Sequence, residues 1–134
     1  MKVKCIANTY EGLSERSKKA GRDLNVIFHV NIGEIYTVYG VNLWRRGSLS
    51  YLTMNAVGSL PIWTPAELFE VVDGKIPADW YYKFLGVSDD YLNAVWGYQE
   101  LVQNPKHYTG LVGEDKKEIE FFMEKKKQID AVSK

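Results

Sequence analysis

Ile32-Gly33-Glu34-Ile35-Tyr36-Thr37-Val38-Tyr39-Gly40-Val41-Asn42 is followed by Leu43-Trp44-Arg45-Arg46-Gly47 and then Ser48-Leu49-Ser50-Tyr51-Leu52-Thr53-Met54. The core of the first run, Ile35 to Tyr39, is rich in the β-branched and aromatic side chains that suit a pleated surface. In the second run, Leu52 and Met54 alternate with Ser50 and Thr53, the two-residue period of a strand. Gly47 lies in the short connection between them, so the pair predicts an antiparallel hairpin with Trp44, Arg45 and Arg46 at its tip.

Two further strands are expected around this hairpin. Lys2 and Lys4 alternate with Val3, Cys5 and Ala7 over Lys2 to Asn8, placing Cys5 on the core face as a small buried hydrophobe. Over Glu67 to Asp73, Phe69 and Val71 alternate with Leu68 and Glu70. Pro61 and Pro65 bracket Ile62-Trp63-Thr64, which confines any strand there to a short or edge position. Thr9 to Asn25 reads as a long, partly helical surface loop. Arg16, Lys18, Lys19 and Arg22 are its basic residues, and no acidic residue stands between Arg16 and Arg22.

Beyond Gly74 the period lengthens. Ser88-Asp89-Asp90 reads as a helix start with acidic first-turn residues, and Leu92, Val95, Trp96, Leu101 and Val102 come after it at helical spacing. Asn104-Pro105 is expected to stop this helix, set at residues 88–103. A second helix, 115–131, opens with Asp115 and Glu118 in capping-box spacing and carries Ile119, Phe122, Met123 and Ile129. Lys125, Lys126 and Lys127 then fall toward its C-terminal, negative end. Leu92, Val95, Trp96, Phe122 and Ile129 are expected to be buried. Trp80, Tyr81, Tyr82 and Phe84 are expected to pack between sheet and helices, as large rings usually do. The fold class is therefore α+β: a small antiparallel barrel or bent sheet over residues 1–73, then two packed helices within 74–134, in one domain.

Gly33 to Val38, then Ser50 to Gly58, then Pro61-Ile62-Trp63-Thr64-Pro65 and Ala66 to Val72 together resemble small, mostly uncharacterised bacterial and phage proteins with an SH3-like barrel. Glu34 and Ala56 depart from that family's lysine and aspartate at the corresponding places. The resemblance covers residues 2–73 and implies a fold and a bacterial or phage origin. It assigns no functional residue, because such barrels serve many roles.

Composition narrows the function. Seventeen basic and seventeen acidic residues give zero formal net charge, unlike a dedicated nucleic-acid binder. The only cysteine is Cys5 and the only histidines are His29 and His107, with no metal-ligand spacing, so no metal or cofactor is expected. A nucleophile elbow and phosphate-cradling glycine motifs are missing from the sequence, while Asp89-Asp90 and Glu114-Asp115 read as helix caps. The N-terminus has no apolar signal-peptide core and no segment is long enough to span a bilayer, so a cytoplasmic location and no membrane partner are expected.

The resulting expectation is a non-enzymatic protein-binding module of accessory, immunity or inhibitor type with an unidentified protein partner. Its contact residues are expected to be Trp44, Arg45 and Arg46, joined by Arg16, Lys18, Lys19 and Arg22. Tryptophan and arginine are favoured interface anchors, and a tryptophan at a hairpin tip is otherwise costly to expose. The alternative is a nucleic-acid-binding accessory protein that uses the same basic residues, with Trp44 as a stacking platform. An enzyme with an unrecognised pocket is the third reading.

Overall fold

The computed structural model describes residues 1–19, 24–44, 48–86 and 92–132. In chain order the elements are strand β1 (Lys2–Cys5), helix α1 (Glu15–Lys19), strands β2 (Ile35–Thr37), β3 (Gly40–Trp44), β4 (Leu49–Met54), β5 (Pro61–Pro65), β6 (Phe69–Asp73), β7 (Tyr81–Phe84) and β8 (Leu92–Gly97), then helices α2 (Gln99–Gln103), α3 (Pro105–Val112) and α4 (Lys116–Val132). The class is α+β, as expected. Among the described residues the strands form two open antiparallel sheets, ordered β2-β1-β6 and β5-β4-β3-β8-β7, and no closed barrel.

The five-stranded sheet is the middle of three layers. Val3, Cys5, Val30, Tyr36, Val38, Leu68 and Phe69 pack with Tyr51, Val41 and Ile62 to fill the space between the two sheets. Tyr39, Leu52, Met54 and Val95 pack with Leu101, Val102, Leu111 and Phe122 between the larger sheet and the helices. Strand β4 is therefore covered on both faces, and Ser50 through Met54 are all buried in spite of their alternating polarity. The long first strand run divides at Val38-Tyr39, sending β2 to one sheet and β3 to the other. Strand β5 is an edge strand, as its two prolines require.

The C-terminal part corrects the sequence reading most. No helix spans 88–103: residues 92–97 are a strand paired with both β3 and β7. The helical-looking stripe has a local cause. The register between β3 and β8 shifts at Leu43/Trp44, where pairing passes from Ala94 to Leu92 and skips Asn93. This β-bulge puts Leu92 on the same face as Val95, three residues on, so a strand imitates the i, i+3 spacing of a helix. Both pack toward the helices, while Trp96 faces the other way. Val95 and Phe122 are buried as expected, but Leu92, Trp96 and Ile129 are only half-buried. The Ser88-Asp89-Asp90 cap, like Gly47 of the hairpin tip, lies outside the described residues.

Asn104-Pro105 ends α2 and also begins α3. The Asn104 carboxamide oxygen accepts from the backbone N–H of Lys106 (3.1 Å) and of His107 (3.4 Å), with proline at the first helical position, where its missing N–H is harmless. Asp115 caps α4 as expected, accepting from Lys117 (3.0 Å) and Glu118 (3.3 Å). Of Lys125, Lys126 and Lys127, the first pairs with Glu100 of α2 at 2.9 Å and the second with Asp130 at 2.6 Å, more than a turn before the helix finishes, while Lys127 is exposed beside Glu124.

The turn from β8 into α2 depends on a glycine pair. Gly40 and Gly97 face each other across β3 and β8. A Cβ on Gly97 would stand 2.7 Å from Leu101 Cδ2 and 3.0 Å from the Tyr39 carbonyl oxygen, and its φ of +155° is itself unfavourable for a side chain. Gly97→Ala should therefore cost about 2–3 kcal/mol through overpacking in urea denaturation. Val57→Ala, at a site 83% exposed, should stay within ~0.5 kcal/mol of wild type.

Candidate functional site

Trp44 is the last residue of β3. Its backbone N–H donates to the Ser48 carbonyl at 2.8 Å and closes the hairpin, and it pairs with Leu92 across the bulge. Its side chain is half-buried and belongs to neither core cluster. Arg45, Arg46 and Arg22 lie outside the described residues. Arg16 and Lys19 are exposed on α1. Lys18 is held by Glu15 (3.6 Å) and Glu11 (3.9 Å), and its ammonium stands 5.3 Å from the centre of the Tyr10 ring. Acidic neighbours thus offset part of the basic run. Among the described residues no hydrogen bond, ion pair or ring contact joins Trp44 to α1.

A second cluster is exposed on β7. All of β7 is exposed: Tyr81 40%, Tyr82 56% and Phe84 57%, with Lys83 between them and Leu85 (46%) just beyond. The expectation that these rings pack inside holds only for Trp80, which lies against the core between the sheets. Tyr82 instead stacks on Trp96 of β8, ring centres 5.0 Å apart, and neither belongs to a core cluster. The register sets Trp44 apart from this group, because Phe84 pairs with Ala94 of β8 whereas Trp44 pairs with Leu92 across the bulge, on the opposite face. Tyr82, Phe84 and Trp96 therefore share one face at the β7 edge of the larger sheet, while Trp44, opposite Leu92, lies at the other end of β8 and on the helix-facing side. Exposed aromatics with a polar handle are typical contact residues, and the composition of β7 is legible in the sequence although its place at the sheet edge is not.

Elsewhere the titratable groups serve the fold. His107 is buried, and its Nδ1 lies 2.9 Å from Glu118 Oε1 while its Nε2 lies 2.6 Å from Tyr98 Oη. A carboxylate can only accept, so in the neutral tautomer Nδ1–H donates to Glu118 and the Tyr98 hydroxyl donates to Nε2. Burial first, then the charges of Glu100 and Glu118, hold the Tyr98 phenol far above its ordinary range. Gly110 leaves the room this needs, since a Cβ there would meet Glu118 Cγ at 2.3 Å. The Glu118 side chain, placed in a capping box by its spacing, is thus used to fasten α4 to α2 and α3.

Cys5 is fully buried, donates to the Ala7 carbonyl at 3.2 Å, and has its thiol pKa raised by burial, the setting of an inert thiol. His29 is exposed on a different segment from buried His107. Among the described residues no three His, Cys, Asp or Glu side chains lie together as metal ligands. A cleft of about 330 Å³ lies between β1, β2, β4 and α4, lined by Lys2, Thr37, Tyr39, Met54, Lys126 and Asp130 among others. Two of its charges are engaged with each other: Asp130 accepts from Tyr39 Oη (2.8 Å) and from Lys126.

Comparison of the chain with protein-family models, with curated proteins and with solved structures finds no match. None of the described helices is long and apolar enough to cross a membrane.

The contrast between the two aromatic groups is measurable. Tyr98→Phe should cost about 1–3 kcal/mol in thermal or chemical denaturation, because it leaves a buried ring nitrogen without its donor. Phe84→Ser, at the exposed sheet edge, should change stability by no more than ~0.5 kcal/mol.

Proposed function

We propose that this chain is a non-enzymatic protein-binding module that works in the cytoplasm and meets its partner with the β7–β8 end of its larger sheet. The observation that carries this reading is a strand whose every residue is exposed and in which three of four residues are aromatic. Leaving three large rings and a leucine in water is unfavourable, and a partner that covers them recovers that free energy. Trp44, opposite Leu92 on the helix-facing side of the sheet, lies apart from this surface. The SH3-like pattern of residues 2–73 belongs to the same proposal, since small sheets of that type commonly present a face or groove to a peptide. Bacterial or phage accessory, immunity and inhibitor proteins are the roles that fit.

The test is affinity capture by the immobilised chain from cells of its own source, with candidate partners then titrated as purified proteins. Phe84→Asp should weaken the partner's affinity at least tenfold, about 1.4 kcal/mol, with an unchanged melting temperature. Val57→Asp, on a distant exposed turn, should leave affinity unchanged. Equal binding by wild type and Phe84→Asp would contradict the reading. So would binding that tracks nucleic acid and falls steeply with salt.

A further inference from the structure

Among the described residues the sheets present four edge strands: β2, β6, β5 and β7. Three are blunted in recognisable ways. Strand β5 starts and ends with proline, β6 carries Glu70 and Asp73, and β2 is only three residues long. Strand β7, Tyr81-Tyr82-Lys83-Phe84, has no proline, no acidic residue and a single lysine.

Its hydrogen-bonding direction is fixed by one distance. Leu85 N–H donates to the Asn93 carbonyl at 2.7 Å, and Phe84 is opposite Ala94. In an antiparallel ladder the bonding groups alternate, so Tyr81, Lys83 and Leu85 point theirs toward β8. The N–H and C=O groups of Tyr82 and Phe84 then point outward, away from the sheet.

From this geometry we infer that the β7 edge pairs with β7 of a second copy of the chain, antiparallel, about a two-fold axis through Tyr82. The inference rests on the reading of β7 as a binding surface and names its occupant. Self-pairing must keep each residue on its own face, and of the registers that do so only those centred on Tyr82 and on Lys83 overlap three residues of β7. Centring on Lys83 sets Lys83 directly against its symmetry mate, a like-charge pair that destabilises the sheet. Centring on Tyr82 avoids this repulsion. Tyr82 meets Tyr82 with its outward N–H and C=O reciprocally bonded, and Phe84 meets Trp80. On the opposite face Tyr81 meets Lys83, where an ammonium over a ring is attractive. Trp80 N–H, already donated to the Pro77 carbonyl at 3.1 Å, is not needed by this register, because Phe84 N–H can donate to the Trp80 carbonyl.

The area sets the strength. Four roughly half-exposed side chains present on the order of 400 Å² per copy. Two copies then bury less than the ~1,200–2,000 Å² of a standard stable interface, so the dimer is weak and reversible. The chain's zero formal net charge adds no long-range repulsion to oppose it.

Sedimentation velocity from ~5 µM to ~2 mM should show a monomer–dimer equilibrium centred between about 10 µM and 1 mM. Tyr82→Lys, which places two like charges at the axis, should shift it at least tenfold toward monomer without lowering the melting temperature. Under mild oxidation Tyr82→Cys should form a disulfide-linked dimer, and Val57→Cys should not. A wild-type monomer at every concentration, a dimer untouched by Tyr82→Lys, or equal crosslinking by the two cysteine variants would overturn the inference. A monomeric wild type that still captures a different protein through Phe84 would remove self-pairing alone and leave the proposed function standing. Failure of both assays would remove both.

Discussion

The close approach of Gly40 and Gly97 is the constraint on which the rest of the molecule depends. Strands β3 and β8 meet there without side chains, and Leu101 occupies the space that a Cβ on either residue would need. Leu101 is almost fully buried, so the first turn of α2 is pinned to the sheet at the point where the chain leaves β8. From that anchor Asn104-Pro105 starts α3, and α4 returns over the sheet to put Phe122 against Tyr39 (ring centres 5.3 Å apart) and Tyr98. The buried Tyr98–His107–Glu118 chain and the Lys125–Glu100 pair then bind the three helices to one another. A side chain at either glycine would disturb this whole layer.

The same arrangement explains where the surface is left apolar. Helices cover one face of the larger sheet and the three-stranded sheet covers part of the other, around Tyr51, Val41 and Ile62. That cover does not take in Trp96, Tyr82 or Phe84, none of which belongs to either core cluster. The exposed aromatic end is thus a consequence of layers of unequal width. Contiguous exposed rings of this kind mark a place for a partner more convincingly than scattered single apolar residues do. Its position beside the bulge at Leu43/Trp44 adds a local twist that re-aims neighbouring side chains, as bulges near binding sites commonly do.

How much of this is legible in the sequence depends on whether the signal is local. Strands β1, β4 and β6 carry a two-residue period, and the Asp115 cap and apolar stripe of α4 are contained within one element, so all can be read directly. The bulge at Asn93 hides the nature of β8, because it converts a strand into an apparent helical stripe and is set by cross-strand register, which spacing does not reveal. Asn104-Pro105 reads as a stop because both residues end helices. Its second role, as cap and first position of α3, depends on a new helix starting at Pro105, and no local signal in the pair discloses that. The Trp44 hairpin end is legible from its composition, but the rings of β7 point to the core because aromatic residues usually lie there. Only strand order, a long-range property, makes β7 an edge. Whether Lys18 is free or ion-paired is equally hidden, since pairing depends on how Glu11 and Glu15 are turned toward it.

The central claim is that residues 92–97 form a strand whose far neighbour is the exposed aromatic strand β7, and nuclear Overhauser spectroscopy of the labelled protein tests it most directly. Phe84 opposite Ala94 and Tyr82 opposite Trp96 are non-hydrogen-bonded pairs, whose α-carbons approach to ~4.5 Å. Strong cross-strand contacts between the α-protons of these two pairs are the result this account predicts. Consecutive amide–amide contacts from Leu92 through Gly97 with no contact to β7, the pattern of a helix, would contradict it.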